Sequence, residues 1–207
     1  MRCRHAYTTG LPAPMQRVFL YRVEKIMSRK LLGLSAVLTL LIGLSLATYA
    51  RSDFTLYSTN IPNSGQIPHQ MAYTACGGHN QPPHLSWYGA PTATRSFVLT
   101  LFDPDAPEGG FWHWLVYNLP ANTHALNGKR LLSIAKTLRN SYGFFGYGGP
   151  CPPSGQDHRY VFTLYALDQL ELPLHQAATP SALFQALSHH VLAKATLIAH
   201  YAQPKGL

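Results

Sequence analysis

From residue 54 onward the chain is a series of short apolar runs, rich in β-branched and aromatic residues and broken by Gly, Pro and Asn. This pattern predicts strands over 54–58, 66–73, 84–88, 96–102, 112–119, 160–167 and 195–201. Turn-rich stretches at 60–65, 77–83 and 104–110 separate them. Two of the runs, SFVLTLF (96–102) and YVFTLYAL (160–167), are almost continuously apolar. They are expected in the middle of a sheet covered on both faces. One helix is predicted: Thr179 suits an N-cap, Pro180 the first helical position, and Leu183, Phe184, Leu187, Val191 and Leu192 recur at helical spacing. Strands first, then one C-terminal helix and one strand, imply a mainly β, antiparallel domain, sandwich-like or Greek-key, with a peripheral helix.

The early chain differs. Residues 31–50 form a run of twenty without a charge, LLGLSAVLTLLIGLSLATYA, just after Met27-Ser28-Arg29-Lys30. A short basic region, an apolar stretch and a small-residue end predict a signal peptide over 27–50, with Thr48 and Ala50 at the −3 and −1 sites. The mature domain is then 51–207, and 1–26 reads as an over-extended N-terminus ahead of the true start at Met27. The alternative is an uncleaved membrane anchor, since twenty such residues can cross a bilayer. Either way, 51–207 is expected outside the cytoplasm, periplasmic or secreted.

Charge reinforces the division. The 207 residues carry a formal net charge of +8, but the first fifty hold seven Lys/Arg and one acid. The remainder is nearly neutral and has no basic cluster, which argues against nucleic acid as a partner. Charged residues make up 12% of the chain, about half the usual ~25%, which excludes a charge-laced coiled coil. Cys3 lies in the leader, leaving Cys76 and Cys151. In an oxidising compartment two such cysteines pair more often than not; the other reading is two unrelated buried thiols.

Three segments carry candidate chemistry. Asp103-Pro104-Asp105-Ala106-Pro107 follows a strongly apolar strand and sets two carboxylates at its end. Phe111-Trp112-His113-Trp114 opens the next strand; strict alternation puts Trp112 and Trp114 on one face and His113 on the other. Tyr147-Gly148-Gly149-Pro150-Cys151-Pro152-Pro153-Ser154-Gly155 precedes His158 and Tyr160, which share a face. Its glycines allow close backbone approach to a ligand. Acids, histidines, a tyrosine and open glycine amides at strand ends suit a small anion such as phosphate. No Gly-x-Ser-x-Gly or His-Glu-x-x-His is present, so hydrolysis by the Asp/His cluster is the weaker reading. A metal among Asp103, Asp105 and His113 lacks an adequate ligand set, and neither metal nor cofactor is expected. The histidines at 69, 79, 84, 124, 175, 189, 190 and 200 are scattered and read as non-functional.

These segments resemble the phosphatidylethanolamine-binding protein family, in its bacterial, Raf kinase inhibitor-like branch. Asp103–Pro107 with His113-Trp114 is similar to the family's first signature, and Tyr147–Tyr160 to its second. Cys76-Gly77-Gly78-His79-Asn80-Gln81-Pro82, Leu85-Ser86-Trp87, Tyr117-Asn118-Leu119-Pro120 and the His190–Tyr201 stretch also match, with Gln81 where the branch usually has a smaller residue. The resemblance implies a two-sheet antiparallel Greek-key sandwich with a C-terminal helix and short peripheral helices. It implies one preformed anion pocket built from Asp103, Asp105, His113, Gly149, Pro150, His158 and Tyr160, with Tyr147 or Trp112 at the rim. It also favours a Cys76–Cys151 disulfide. The expected function is a non-enzymatic, exported binding protein for phosphate or phosphorylated lipid head groups; the alternative is an inhibitor of a protease or kinase, or a partner of an envelope protein, using the same pocket. In that pocket the glycine amides, His158 and Tyr160 are expected to hold the anion. Asp103 and Asp105 are expected to orient His113, and one histidine to be protonated, so that affinity rises as pH falls through about 6.5.

Overall fold

The computed structural model describes residues 53–127 and 135–203. The readings on 1–26, on the 27–50 leader and on Cys3 lie outside the described residues. The strands are β1 (Thr55–Ser58), β2 (Gly65–Gln66), β3 (Leu85–Tyr88), β4 (Ser96–Asp103), β5 (Phe111–Pro120), β6 (Ala125–Leu126), β7 (Lys136–Thr137), β8 (Asp157–Leu167) and β9 (Val191–Ala202), with helix α1 at Pro180–Leu187. They form a three-stranded sheet, β1-β3-β6, and a six-stranded sheet, β2-β9-β8-β4-β5-β7. This is the mainly β, two-sheet fold expected. Pairing is antiparallel except between β2 and β9, which run parallel.

The six-stranded sheet is covered on both faces, which explains its continuous apolar strands. Its inner face brings Phe97, Leu99, Leu101, Val116, Phe162 and Leu164 against Leu56, Leu85 and Trp87 of the small sheet. Its outer face brings Val98, Leu115, Tyr117, Tyr165 and Leu167 against Leu183 and Leu187 of α1. Along β4, odd-numbered side chains face inward, and the series 97, 99, 101 ends at Asp103. Along β8, even-numbered ones do, and the series 164, 162, 160 ends at His158.

Three expectations change. The apolar run at 66–73 is a strand only at Gln66; Pro68 then opens a 3-10 turn at His69–Met71, followed by another at Thr74–Cys76. Proline there lacks the N–H that a longer ladder needs. The helix starts as read, with Thr179 Oγ1 accepting from Ala182 N at 3.2 Å, but it stops at Leu187. Val191 and Leu192 belong to β9, where Val191 pairs with Leu167; ladder pairing overrides the helical spacing. Finally, Leu101 pairs with Trp114 but Phe102 with Trp112, so β5 carries an extra residue, a bulge, at His113. Trp112 and Trp114 therefore do not share a face. Trp112 packs on Phe102 and, on the helix side, Phe184. Trp114 packs on Tyr147 in the inter-sheet core.

Candidate functional site

At one end of the inner face, beyond the apolar core, three strand ends meet. Phe102 of β4 pairs with Val161 of β8, which sets Asp103 beside Tyr160, with His158 two residues further along the same face. The β5 bulge adds His113, whose ring lies 5.1 Å from that of Tyr160, edge to face. Asp103, His113, His158 and Tyr160 line one cavity of about 170 Å³. Phe111, Tyr142, Ala106, Pro107, Pro152 and Pro153 supply its less polar walls. Pro107 and Pro153 are exposed, so the cavity reaches the surface. Among the described residues, cavities of about 320, 330 and 580 Å³ lie elsewhere, yet none of these is lined by a buried acid or histidine.

Asp103 is buried, and its oxygens are engaged. Oδ1 accepts from the amides of Asp105 (2.9 Å) and Ala106 (3.1 Å), the turn geometry that aspartate favours after a strand. Oδ2 lies 2.8 Å from His158 Nδ1. The far nitrogen of His158, Nε2, lies 3.2 Å from Gln156 Oε1. The acid thus holds His158, and its charge is offset by three donors.

His113 is held differently. Its Nδ1 lies 2.7 Å from the Gly148 carbonyl oxygen. A carbonyl only accepts, so Nδ1 carries the proton and Nε2 of the neutral ring keeps its lone pair. Burial pushes this imidazole down to about 4, against the smaller opposing pull of the Gly148 carbonyl and Asp103. Tyr160 is fully buried, and among the described residues its hydroxyl has no hydrogen-bond partner within 3.5 Å, the Asp103 carboxylate being the charged neighbour that acts on it most. Burial first, and the Asp103 charge second, raise its pKa, so the phenol keeps its proton.

The opposite wall is a strap, Tyr147–Pro153, tied to residues 71–80. Cys76 and Cys151 form a disulfide. Asn80 Nδ2 donates to the Tyr147 carbonyl at 3.0 Å, and the Gly149 amide donates to Asn80 Oδ1 at 2.7 Å. The Tyr147 hydroxyl donates to the Met71 carbonyl, and the Tyr73 amide to that of Pro150.

Comparison with known proteins settles the lineage. The family model described as phosphatidylethanolamine-binding protein matches residues 57–202. The chain belongs to the phosphatidylethanolamine-binding protein family. It is 37% identical over 155 residues to UPF0098 protein YbhB of Escherichia coli K12, covering 70% of this chain and 98% of that one. A UPF0098 protein of Methanothermobacter thermautotrophicus is 42% identical over 142 residues, covering 66% and 91%. The crystal structure of E. coli YbcL, described as a new member of the mammalian PEBP family, superposes with a TM-score of 0.69 at 33% identity, covering 72% of this chain and 98% of that one.

In this family member, four of the nine anticipated pocket residues line the cavity: Asp103, His113, His158 and Tyr160. The other five stand elsewhere. Asp105 turns outward to Arg159, whose Nη2 donates to it; this guanidinium holds the carboxyl at about 2. Neither Asp103 nor Asp105 hydrogen-bonds His113, so neither orients it as expected. Trp112 belongs to the helix side of the sheet, and Tyr147 to the core beneath the strap. Pro150 is buried with its carbonyl taken by Tyr73. The glycine amides are not open: Gly148 N donates to the His113 carbonyl, and Gly149 N to Asn80. Glycine is required at 149 by packing, since a Cβ there would stand 2.0 Å from the Met71 carbonyl oxygen.

Sequence reasoning passed over Phe111 and Tyr142. Phe111 pairs with Asp103 across the β4–β5 ladder, so its place follows once that register is known. Tyr142 has no local signal; its hydroxyl donates to the Gly149 carbonyl at 2.9 Å, and its ring stacks on Tyr73 at 4.2 Å. Among the described residues no three His, Cys, Asp or Glu side chains group as metal ligands.

Proposed function

We propose that this family member is an exported, non-enzymatic binding protein whose cavity takes a small oxyanion, phosphate or a phosphorylated head group. The observation that carries this reading is the Tyr160 hydroxyl. A buried donor without a partner costs about 1–3 kcal/mol, and a ligand oxygen relieves that cost. It lies in a cavity whose one carboxylate is already offset by three donors and whose two histidines face the same space. A volume of about 170 Å³ falls below the ~300 Å³ at which drug-sized ligands begin, which favours a head group over a whole lipid.

The lining also argues against turnover. It holds no Ser, Thr or Lys, and Cys151 is engaged in the disulfide, so the lining lacks a hydroxyl, thiol or amine nucleophile of the Ser, Thr, Cys or Lys type. Calorimetric titration of the full-length protein with phosphate and phosphoethanolamine tests the binding. Tyr160→Phe is expected to weaken it at least tenfold, the loss typical of one hydrogen bond to a charged group. Absence of binding at millimolar ligand refutes the reading. Export rests on the 27–50 pattern; a mature N-terminus at Arg51 in the secreted or periplasmic fraction is expected, and a cytoplasmic protein beginning before residue 27 refutes it.

A further inference from the structure

Among the described residues two buried side-chain polar atoms have no hydrogen-bond partner, the Tyr160 hydroxyl and the Trp87 indole Nε1. The first belongs to the cavity described above. The second lies at the other end of the sandwich. Trp87 stands on β3, and its ring packs edge to face on that of Phe97 at 5.5 Å. Phe97 and Asp103 lie near opposite ends of β4, about 20 Å apart along the strand. Trp87 and Phe97 line a separate cavity of about 320 Å³.

An indole N–H is a donor that usually finds an acceptor when buried, and leaving it unpaired costs free energy that a phenylalanine would avoid. The polar groups beside it are already engaged. The Trp87 amide donates to the His124 carbonyl at 3.0 Å. The Thr94 amide and hydroxyl both donate to the Pro91 carbonyl, at 3.0 and 2.6 Å. Those bonds hold the 89–94 loop in place. Gly89 anchors its start with a φ of +72°, where a Cβ would stand 2.5 Å from the Asp53 carbonyl oxygen. The cavity is therefore preformed. Tyr88, Ala90, Pro91 and Ala121 extend its walls, and no Lys, Arg, Asp or Glu lines it. Tyr88 and Gly89 are exposed, so it reaches the surface.

We propose that this cavity is a second ligand site, for a small uncharged molecule with a ring-shaped apolar body and one carbonyl-type oxygen. The oxygen accepts from Trp87 Nε1, and the body lies among the aromatic walls. An indole N–H donates and cannot accept, so the ligand supplies the acceptor. The lining offers no buried counter-charge, so a carboxylate or an amine would lose hydration without compensation; His124 is exposed at the rim. Water is a poor occupant, because a buried water needs about two to four polar partners and the neighbouring donors are taken. A volume of about 320 Å³ stands at the lower end of ligand cavities, ~300 Å³, which suits one ring with a short substituent. The site is independent of the oxyanion reading.

The test is proton–nitrogen correlation NMR of the full-length protein with acetophenone, toluene and benzoate, each at millimolar concentration and in saturating phosphate. The three tryptophans give three indole cross-peaks. Acetophenone is expected to move that of Trp87 downfield and to leave those of Trp112 and Trp114 in place. Toluene, which has the ring without the acceptor, is expected to bind at least about fivefold more weakly, the loss of one hydrogen bond to a buried donor. Benzoate is expected to leave the Trp87 peak unmoved. Trp87→Phe should bring acetophenone down to the affinity of toluene. Ala121→Leu, which fills the cavity and keeps the donor, should abolish binding of both, and it serves equally if Trp87→Phe does not fold. A Trp87 peak unmoved by acetophenone overturns the proposal, as do equal affinity for toluene or benzoate and binding retained in Ala121→Leu. None of these results bears on phosphate binding at the strand-end cavity, which its own titration decides.

Discussion

The two walls of the cavity are made in opposite ways. The strand wall, Asp103 on β4 with His158 and Tyr160 on β8, follows from period-two alternation and one antiparallel register. The strap wall, Tyr147–Pro153, has no regular structure and is placed by partners about seventy residues earlier in the chain. The strand wall supplies hydrogen-bonding chemistry. The strap supplies position, closing the cavity and fixing the His113 tautomer through the Gly148 carbonyl. The cavity requires both, although only the first is built by local rules.

If that division is right, perturbing the strap costs stability and changing the strand wall costs binding. The largest effect is expected from Cys76→Ser with Cys151→Ser. A crosslink across a sequence separation of 75 is worth about 4 kcal/mol in the chain-entropy model. Urea denaturation should show a loss of that order, together with weakened phosphate binding; unchanged stability would mean the strap holds itself.

Next comes pH. His113 sits at about 4 in the folded protein against an ordinary 6.5. Between those values the unfolded chain binds a proton that the folded chain does not. Stability is therefore lost as pH falls from about 6.5 to about 4, by about 3 kcal/mol. The His113 ring resonance should show no titration above pH 5 by NMR, and a midpoint near 6.5 would contradict its burial as a neutral acceptor.

Gly149→Ala follows. The added methyl meets the Met71 backbone rather than a flexible side chain, and overpacking of this kind costs about 1–3 kcal/mol. A binding loss far larger than the stability loss would show that the Gly149 amide contacts ligand after all. The smallest effect belongs to Asp105→Asn. The Asp105–Arg159 pair is largely solvent-exposed, and such pairs contribute little. Its melting curve should nearly overlay that of the wild type above pH 4, and phosphate binding should be unchanged.

The comparison also explains what the sequence disclosed. His158 and Tyr160 were readable as sharing one face of β8 by period-two counting, whereas the almost continuously apolar runs of β4 and β8 do not say which face turns inward. The bulge at His113 was not readable. One extra residue reverses the alternation and separates Trp112 from Trp114, and nothing in Phe111-Trp112-His113-Trp114 marks it. Gly148 and Gly149 were legible as positions of close approach but not as to what approaches. A missing Cβ looks the same whether the neighbour is a ligand or, as at Gly149, the Met71 carbonyl. Tyr142 and the 3-10 turns after Pro68 are fixed by tertiary partners, which propensity does not report.

The central claim is that His113 and Tyr160 face one ligand. A crystal of the protein soaked in a phosphate monoester tests it most directly. One phosphoryl group is expected in the cavity, with one oxygen within hydrogen-bond reach of the Tyr160 hydroxyl and another of His113 Nε2. A cavity holding only water at saturating ligand, or a phosphoryl group bound solely by the strap amides, would contradict it.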